Sequence, residues 1–325
     1  MRKRLGIIGT LMLVFLIAVF VPAPSTSQAR VTIAATVGPG FFAFDLMSGF
    51  ASLISRNVSN VTTVVEQSPN FLDTMQRIAA RRADLGIVGG VIVVDALLGE
   101  EAFRGNRVPV RTLALLHDFV SHLVTLEGTG ITTIGDLRGK RIGIDGPGSV
   151  RDALRILQAA GIDPQREVRT EVAAAPGAWV AALREGRIDA VYAVSLGSPT
   201  VPDVVAMATA PCVRLRIIPL DSVLPALRRQ YGDRYRSFTI KGGMYPGIAV
   251  DVPTISGSAQ LVALANFDTA LAYQITKVFY EKRAELAQFS SAALYITTIG
   301  LSERSPIPFH PGAAQYFRER GVPGF

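Results

Sequence analysis

Short β-branched runs alternate along the chain with stretches whose apolar residues fall at helical spacing. Val31 to Thr36 and Val61 to Glu66 have extended character. Between them, Leu46, Met47, Phe50, Leu53 and Ile54 mark one face of a helix over Phe44 to Ser55, which predicts a βαβ unit. A helix over Asn70 to Arg82, an apolar strand at Leu85 to Val88 and a further strand at Val108 to Leu116 complete a first α/β half with a mainly parallel sheet. The pattern then restarts. Ser121 to Leu126 is extended, Ile134 to Leu137 helical, Arg141 to Ile144 extended, Val150 to Ala160 helical, Val168 to Val172 extended and Gly177 to Arg184 helical. Beyond Ile240 come a glycine-rich turn at 242–247, a strand at Gln260 to Asn266, a helix from Tyr273 to Phe289 and a final helix at Ala313 to Arg320.

An internal echo supports two tandem halves. Ala79-Ala80-Arg81-Arg82-Ala83-Asp84-Leu85 resembles Ala182-Leu183-Arg184-Glu185-Gly186-Arg187-Ile188-Asp189-Ala190, each a helix end followed by an aspartate and an apolar strand. The reading is a two-lobed α/β fold, with 30–119 plus 241–325 as lobe 1 and 120–240 as lobe 2. Chain crossings are expected at Phe119 to His122 and at Phe238 to Ile240.

The first 29 residues change the compartment in which the rest is read. Arg2, Lys3 and Arg4 precede an uncharged apolar run from Leu5 to Val21, and Ser27-Gln28-Ala29 forms a small-residue cleavage site before Arg30. This predicts an exported, periplasmic protein; an uncleaved anchor is the alternative, since the run falls just short of the roughly 20 residues of a membrane span. Losing three of the 33 basic residues and none of the 26 acidic ones leaves 30 against 26, a net charge of +4. The basic residues are scattered without a run, so nucleic-acid binding has no support. Cys212 is the one cysteine, which rules out an intramolecular disulfide.

Catalytic and metal constellations are missing. His117, His122 and His310 have no HExxH or CxxC companions, Gly139-Lys140-Arg141 lacks the rest of a phosphate-binding loop, and no GxSxG occurs. No cofactor is expected. Two glycine-proline loops carry more information. Gly146-Pro147-Gly148-Ser149 lies between a strand and a helix, where free amides can hold an anion, and Gly38-Pro39-Gly40 takes the equivalent place in the first half. A ligand between lobes would touch both, because α/β sheets bind ligands beyond the carboxyl ends of their strands. Ser149 is a helix cap, a ligand hydroxyl or both. Phe41, Phe42 and Phe44 are core residues or a cleft wall. Arg151, Lys241 and Glu66 are solvated or ligand-facing, and Trp179 reads as a packing anchor.

The order of motifs resembles the TAXI-type solute receptors of TRAP transporters over essentially the whole chain after the leader. The resemblance rests on Ala83-Asp84-Leu85, on Asp136-Leu137-Arg138-Gly139-Lys140-Arg141 leading to Gly146-Pro147-Gly148-Ser149, and on Gly186-Arg187-Ile188-Asp189-Ala190. Tyr245-Pro246-Gly247, Tyr273-Gln274-Ile275-Thr276-Lys277 and Pro308-Phe309-His310-Pro311-Gly312-Ala313 follow in the family's order. It implies a two-lobed periplasmic-binding-protein fold, a small carboxylate ligand, delivery to a membrane permease driven by an ion gradient, a monomer and no catalysis. A periplasmic sensor that presents its bound form to a signalling receptor is the alternative on the same fold. The ligand-contacting set expected is Gly38, Gly40, Phe41, Phe44, Glu66, Ser68, Asn70, Phe71 and Gly89 from lobe 1. Gly148, Ser149, Val150, Arg151 and Ser195 come from lobe 2, with Lys241, Met244 and Tyr245 from the glycine-rich turn. The chain departs from the family where the ligand would sit. It has Phe41, Ala43 and Phe44 for a Gly and paired Tyr, Ser68-Pro69-Asn70-Phe71 for Thr-Gly-Gly-Ser, Gly89-Gly90-Val91 for Gln-Ser-Asp, Val150-Arg151 for Gly-Thr, and Met244 for a Thr. That exchange suits a less polar carboxylate with a branched or aromatic body better than glutamate.

Overall fold

The computed structural model describes residues 28–174, 177–196, 198–211 and 213–325; residues 1–27 of the expected leader and Cys212 lie outside the described residues. Ala29–Thr36 (β1), Phe42–Asn57 (α1), Val61–Ser68 (β2), Phe71–Ala79 (α2), Leu85–Gly89 (β3) and Gly90–Leu98 (α3) form the first half. The chain then runs through Val110–Leu126 (β4), Arg141–Ile144 (β5), Val150–Ala159 (α4), Arg169–Val172 (β6), Ala178–Arg184 (α5), Ala190–Val194 (β7), Pro202–Thr209 (α6), Leu215–Ile218 (β8), Leu224–Tyr231 (α7) and Arg236–Ile240 (β9). It closes with Val252–Leu264 (β10), Thr269–Glu281 (α8), Arg283–Leu286 (α9), Leu301–Arg304 (α10) and Pro311–Glu319 (α11). The strand order is β2-β1-β3-β10-β4-β7-β5-β6, with β8 on β4 and β9 on β10. The fold is the expected two-lobed α/β class.

The first helix shows how the pattern becomes structure. Leu46, Met47, Phe50, Leu53 and Ile54 are all fully buried, each contributing roughly 1.5–3 kcal/mol, and they pack with Ile33, Leu85 and Leu261 in the first-half core. A separate core in the second half joins Ile142, Ile144, Ile156, Leu157 and Tyr192. Trp179, expected as a packing anchor, is buried with Val191 and Val204.

Four expectations change. The runs at Val108 to Leu116 and Ser121 to Leu126 are one strand, β4, 17 residues long. At about 3.3 Å per residue it spans some 55 Å, enough to serve both halves. Its first part pairs with β10 and its second with β7 and β8, so the chain changes halves near Phe119 to Ser121 without leaving extended structure. The sheet is mixed. β1–β2, β1–β3, β5–β6 and β5–β7 are parallel, whereas the two long strands β4 and β10 pair with every other strand they meet in antiparallel fashion. The second passage does not fall at Phe238 to Ile240: Ile240, Tyr245 and Val252 are buried with Trp179 and Val191, so the turn at 241–251 packs on the second half. The change of core falls inside β10, where Ser256 pairs with both Arg236 and Val120. The long C-terminal helix is also broken at Lys282 into α8 and α9.

The echo between the halves is the same joint built twice. Arg81 and Gly186, each three residues before the aspartate, take left-handed backbone at φ +57° and +68°. Asp84 Oδ2 accepts the Thr32 amide at 2.7 Å and the Asp84 amide donates to the Thr32 carbonyl at 2.8 Å. Asp189 Oδ2 accepts the Arg141 amide at 2.8 Å while its own amide donates to the Arg141 carbonyl at 2.8 Å. In each half the aspartate ties the strand it opens to its parallel neighbour, β3 to β1 and β7 to β5.

Candidate functional site

A cavity of about 120 Å³ lies where the halves meet. Phe71 and Gly89 to Ile92 line it from the first half, and Phe119, Ser121 and Gly257 from the crossing strands. Gly148, Ser149, Arg151, Asp152, Tyr192, Val194, Leu196 and Tyr235 line it from the second half. The apolar lining exceeds the polar, as in most small-molecule sites.

Two helix starts face this space. Strand β3 ends at Gly89 and α3 begins at Gly90, so no loop separates them and the first amides of α3 carry no side-chain cap. A Cβ on Gly90 would sit 2.7 Å from Ser258 Oγ and 3.3 Å from Gln260 Nε2, so only glycine lets α3 seat on β10. Across the cavity, the turn Pro147–Ser149 runs into α4; the Ser149 and Val150 amides donate to the Gly146 and Pro147 carbonyls, so the end that meets the cavity without a side-chain cap is the turn at Gly148. Uncapped amides at helix starts favour negative charge.

The polar side chains of the wall are held in pairs. Ser121 Oγ and the Tyr192 hydroxyl lie 2.9 Å apart, and the Tyr235 hydroxyl donates to Asp152 Oδ1 at 2.7 Å. Burial pushes the Asp152 carboxyl above the usual carboxylate range and holds both tyrosines well above the ordinary phenol. Phe71 and Phe119, 5.6 Å apart, form the aromatic wall. Phe42 and His117 stand behind it, with ring centroids 6.5 and 5.4 Å from Phe119.

One flank of the cavity is a dense charge cluster between the halves. Asp95 of α3 is fully buried. It accepts from Arg151 Nη1 at 3.0 Å and Arg234 Nε at 3.1 Å, with Arg155 Nη2 at 3.9 Å. Arg234 also meets Glu100 at 2.5 Å, Arg155 meets Glu101 at 2.9 Å, and the Arg155 guanidinium lies 4.3 Å from the Tyr231 ring centroid. Three first-half acids thus engage three second-half arginines. A further ion pair, Arg236 with Asp118 at 2.6 Å, joins them at the crossing.

Of the residues singled out from sequence, Phe71, Gly89, Gly148, Ser149 and Arg151 come together on the cavity. The others stand elsewhere. The Gly40 amide donates to Asp45 Oδ1 at 3.1 Å, so the Gly38-Gly40 loop is closed by its own helix, and Phe41 packs on Phe42 at 4.9 Å. Phe44 packs against the first-half core, and Val150 against the second. Glu66 pairs with Arg77 at 3.6 Å; Ser68 is buried against Thr74; Asn70 caps α2 by accepting the Asp73 amide. Ser195 accepts the Val120 amide at 3.0 Å, beside the crossing. Lys241 is exposed and paired with Asp251 at 2.7 Å. Met244 packs on the second-half core, and the Tyr245 hydroxyl is buried between His122 Nε2 at 2.9 Å and the Val201 amide at 2.8 Å. Sequence reading missed Asp152, Tyr192, Val194 and Tyr235. Tyr192 and Val194 carry a signal, since two-residue spacing at the carboxyl end of a strand puts both on one face; Asp152 and Tyr235 carry none without the fold.

A cavity between two α/β halves joined by two extended crossings defines the two-lobed periplasmic-binding-protein class. Solved structures are similar to this chain, and the two with TM-scores of 0.50 and 0.52 show the shared fold. A TctC solute-binding protein from Polaromonas is 11% identical with a TM-score of 0.50, covering 91% of this chain and 97% of its own. A Xanthomonas citri protein bound to ATP is 10% identical with a TM-score of 0.52, covering 91% and 99%. The periplasmic aliphatic sulphonate binding protein SsuA from Escherichia coli is 14% identical with a TM-score of 0.47, covering 91% and 94%. The chain belongs to the NMT1-like family, which matches residues 34–321.

Proposed function

We propose that the protein is an extracytoplasmic solute receptor that captures a small organic carboxylate between its lobes and hands it to a membrane permease of the TRAP type. The observation that carries the reading is the meeting, in one cavity, of two helix starts that the protein's own side chains leave uncapped, one from each lobe. An anion placed there would draw amides from both sides, so its binding favours the closed arrangement through differential contact. Ser149 adds a hydroxyl at the second start, held by its bond to the Asp145 carboxyl. Arg151 gives a more diffuse attraction than a free guanidinium would, because Asp95 already holds it. Phe71, Phe119, Val194 and Leu196 suit an apolar body on the ligand, since each buried methylene contributes about 0.8 kcal/mol. The order of sequence motifs supports the TRAP partner, and the family and fold support the wider class of solute-binding proteins.

Thermal shift tests the reading. Carboxylates with branched or aromatic bodies should raise the melting temperature more than glutamate, because ligand binding stabilises the folded state by mass action. Ser149→Asp should abolish the shift while the free protein still melts cooperatively, as an acid at a helix start is tolerated by the fold but repels a bound anion. Equal shifts in wild type and variant would move the anion site elsewhere.

A further inference from the structure

The charges around the cavity sharpen the choice of ligand. Arg151 lines it, and all three arginines of the flanking cluster are engaged by acids of the other lobe: Arg151 by Asp95, Arg155 by Glu101 and Arg234 by Asp95 and Glu100. Three guanidinium groups therefore face three carboxylates, which leaves that cluster without excess positive charge. Asp152 is a fourth carboxyl beside Arg151 and Arg155, which attract it although the three other acids already match the cluster's charge. It lines the cavity from the first turn of α4, its Oδ1 accepts from the Tyr235 hydroxyl at 2.7 Å, and among the described residues it makes no ion pair. A second carboxyl, Asp145, stands behind the same wall and accepts the Val194 amide at 2.8 Å.

A carboxylate ligand entering this space meets favourable amides at the helix starts and an unfavourable carboxylate at Asp152. A ligand that carries a cation beside its carboxylate would turn that repulsion into attraction. We infer that Asp152 is a specificity residue that receives an ammonium group, so that the ligand class is an α-amino acid with an apolar side chain rather than a bare carboxylic acid. The carboxylate takes the helix starts at Gly90 to Ile92 and Ser149, the ammonium takes Asp152, and the side chain takes Phe71, Phe119 and Leu196. Tyr235 holds the aspartate in position through one oxygen and leaves the other for the ligand. This rests on the solute-receptor reading above and names the chemistry of its ligand. Burial raises the affinity of Asp152 for a proton, as expected of a carboxylate that awaits a cationic partner.

Calorimetry with matched series tests it: leucine against 4-methylpentanoate and 3-methylbutylamine, and phenylalanine against 3-phenylpropanoate and phenethylamine. In at least one series the amino acid should bind at least about tenfold more tightly than the acid lacking the amine, since a hydrogen bond to a charged group is worth that much. Asp152→Asn should erase that ratio and leave the affinity of the bare acid within about twofold. A bare acid that binds as tightly as its amino acid, or a ratio unchanged in Asp152→Asn, overturns the role of Asp152 and leaves the carboxylate reading standing. An amine that binds as tightly as its amino acid, or a series in which no member binds, overturns the carboxylate reading and the inference with it. The wild-type ratio decides the matter even if the variant fails to fold.

Discussion

The two halves of the molecule repeat one feature and differ in another, and the two features lie at opposite ends of their strands. At the helix-to-strand joint they agree: a left-handed residue, two intervening positions, and an aspartate that bonds the backbone of Thr32 in one half and Arg141 in the other. At the strand-to-helix loops the halves part company. The loop before α1 is closed by Asp45, whose carboxylate takes the Gly40 amide, whereas α4 begins without a side-chain cap. The first lobe meets the cavity instead through α3, which starts directly at the end of β3. The joint serves only folding, so its residues are tied to backbone on both sides; the open helix starts are where a lobe can meet something that is not itself.

The largest effect should come from breaking the seam that joins the halves. Asp95 is fully buried and engages arginines of the other lobe, so Asp95→Ala leaves those guanidinium groups without their central counter-charge. Removing one member of a buried pair costs about 3–5 kcal/mol. Urea denaturation at neutral pH should show that loss, and a loss below about 1 kcal/mol would mean that each half is stable without the seam. Asp118, which is paired with Arg236 at the crossing, remains as the internal comparison.

An effect of comparable size, about 3 kcal/mol for each histidine, separates the halves by pH. His117 packs with the first-half aromatics and His122 is buried in the second half against Tyr245, and burial lowers both to about 4 from an ordinary value of 6.5. For His117, Asp118 opposes the shift and Arg304 adds to it. The unfolded chain binds these protons first. Stability is therefore full above pH 6.5, falls as the pH drops from 6.5 to 4, and changes no further on this account below 4, each histidine contributing about 3 kcal/mol. Denaturation midpoints measured across that window check it. His122→Asn should cost stability at pH 7 but remove about half of the slope. A slope that persists in full would place the titration elsewhere.

Much of the architecture was readable from the chain because periodicity reports on burial, and burial decides helix from strand here. The α1 face, the two aspartate joints and the strand at Arg141 to Ile144 all carry local patterns. The continuity of β4 was not readable, because His117 and Asp118 look like a polar break. In the fold His117 is buried among rings and Asp118 is neutralised by Arg236 and Arg304, so extended structure runs straight through. The site was half readable for a related reason. Glycine loops announce free amides, but only a third element shows whether they stay free. Asp45 lies five residues beyond Gly40, where a first-turn acid can reach back, and that clue was in the sequence. The approach of Asp152 to Tyr235 joins positions 83 residues apart, and no local pattern encodes it.

The smallest effect tests the contrast between the two loops most directly. Asp45→Ala removes both the acceptor for the Gly40 amide and a negative charge in the first turn of α1, each favourable at a helix start. Together they should cost about 1 kcal/mol of stability, visible as a small fall in denaturation midpoint, with ligand affinity unchanged because that loop stands apart from the cavity. Ser149→Ala should move affinity as well. Its hydroxyl caps nothing in α4 but bonds the buried Asp145 carboxyl, so stability should fall by about 1 kcal/mol, and ligand affinity should fall by the worth of one hydrogen bond to an anion. The pair is read by affinity, which moves in Ser149→Ala and stays in Asp45→Ala. If Asp45→Ala weakens binding, the first-lobe loop takes part in the site after all, and the asymmetry between the halves is a matter of degree; if Ser149→Ala leaves binding untouched, the second-lobe start is closed too, and neither glycine-proline loop is where the ligand is held.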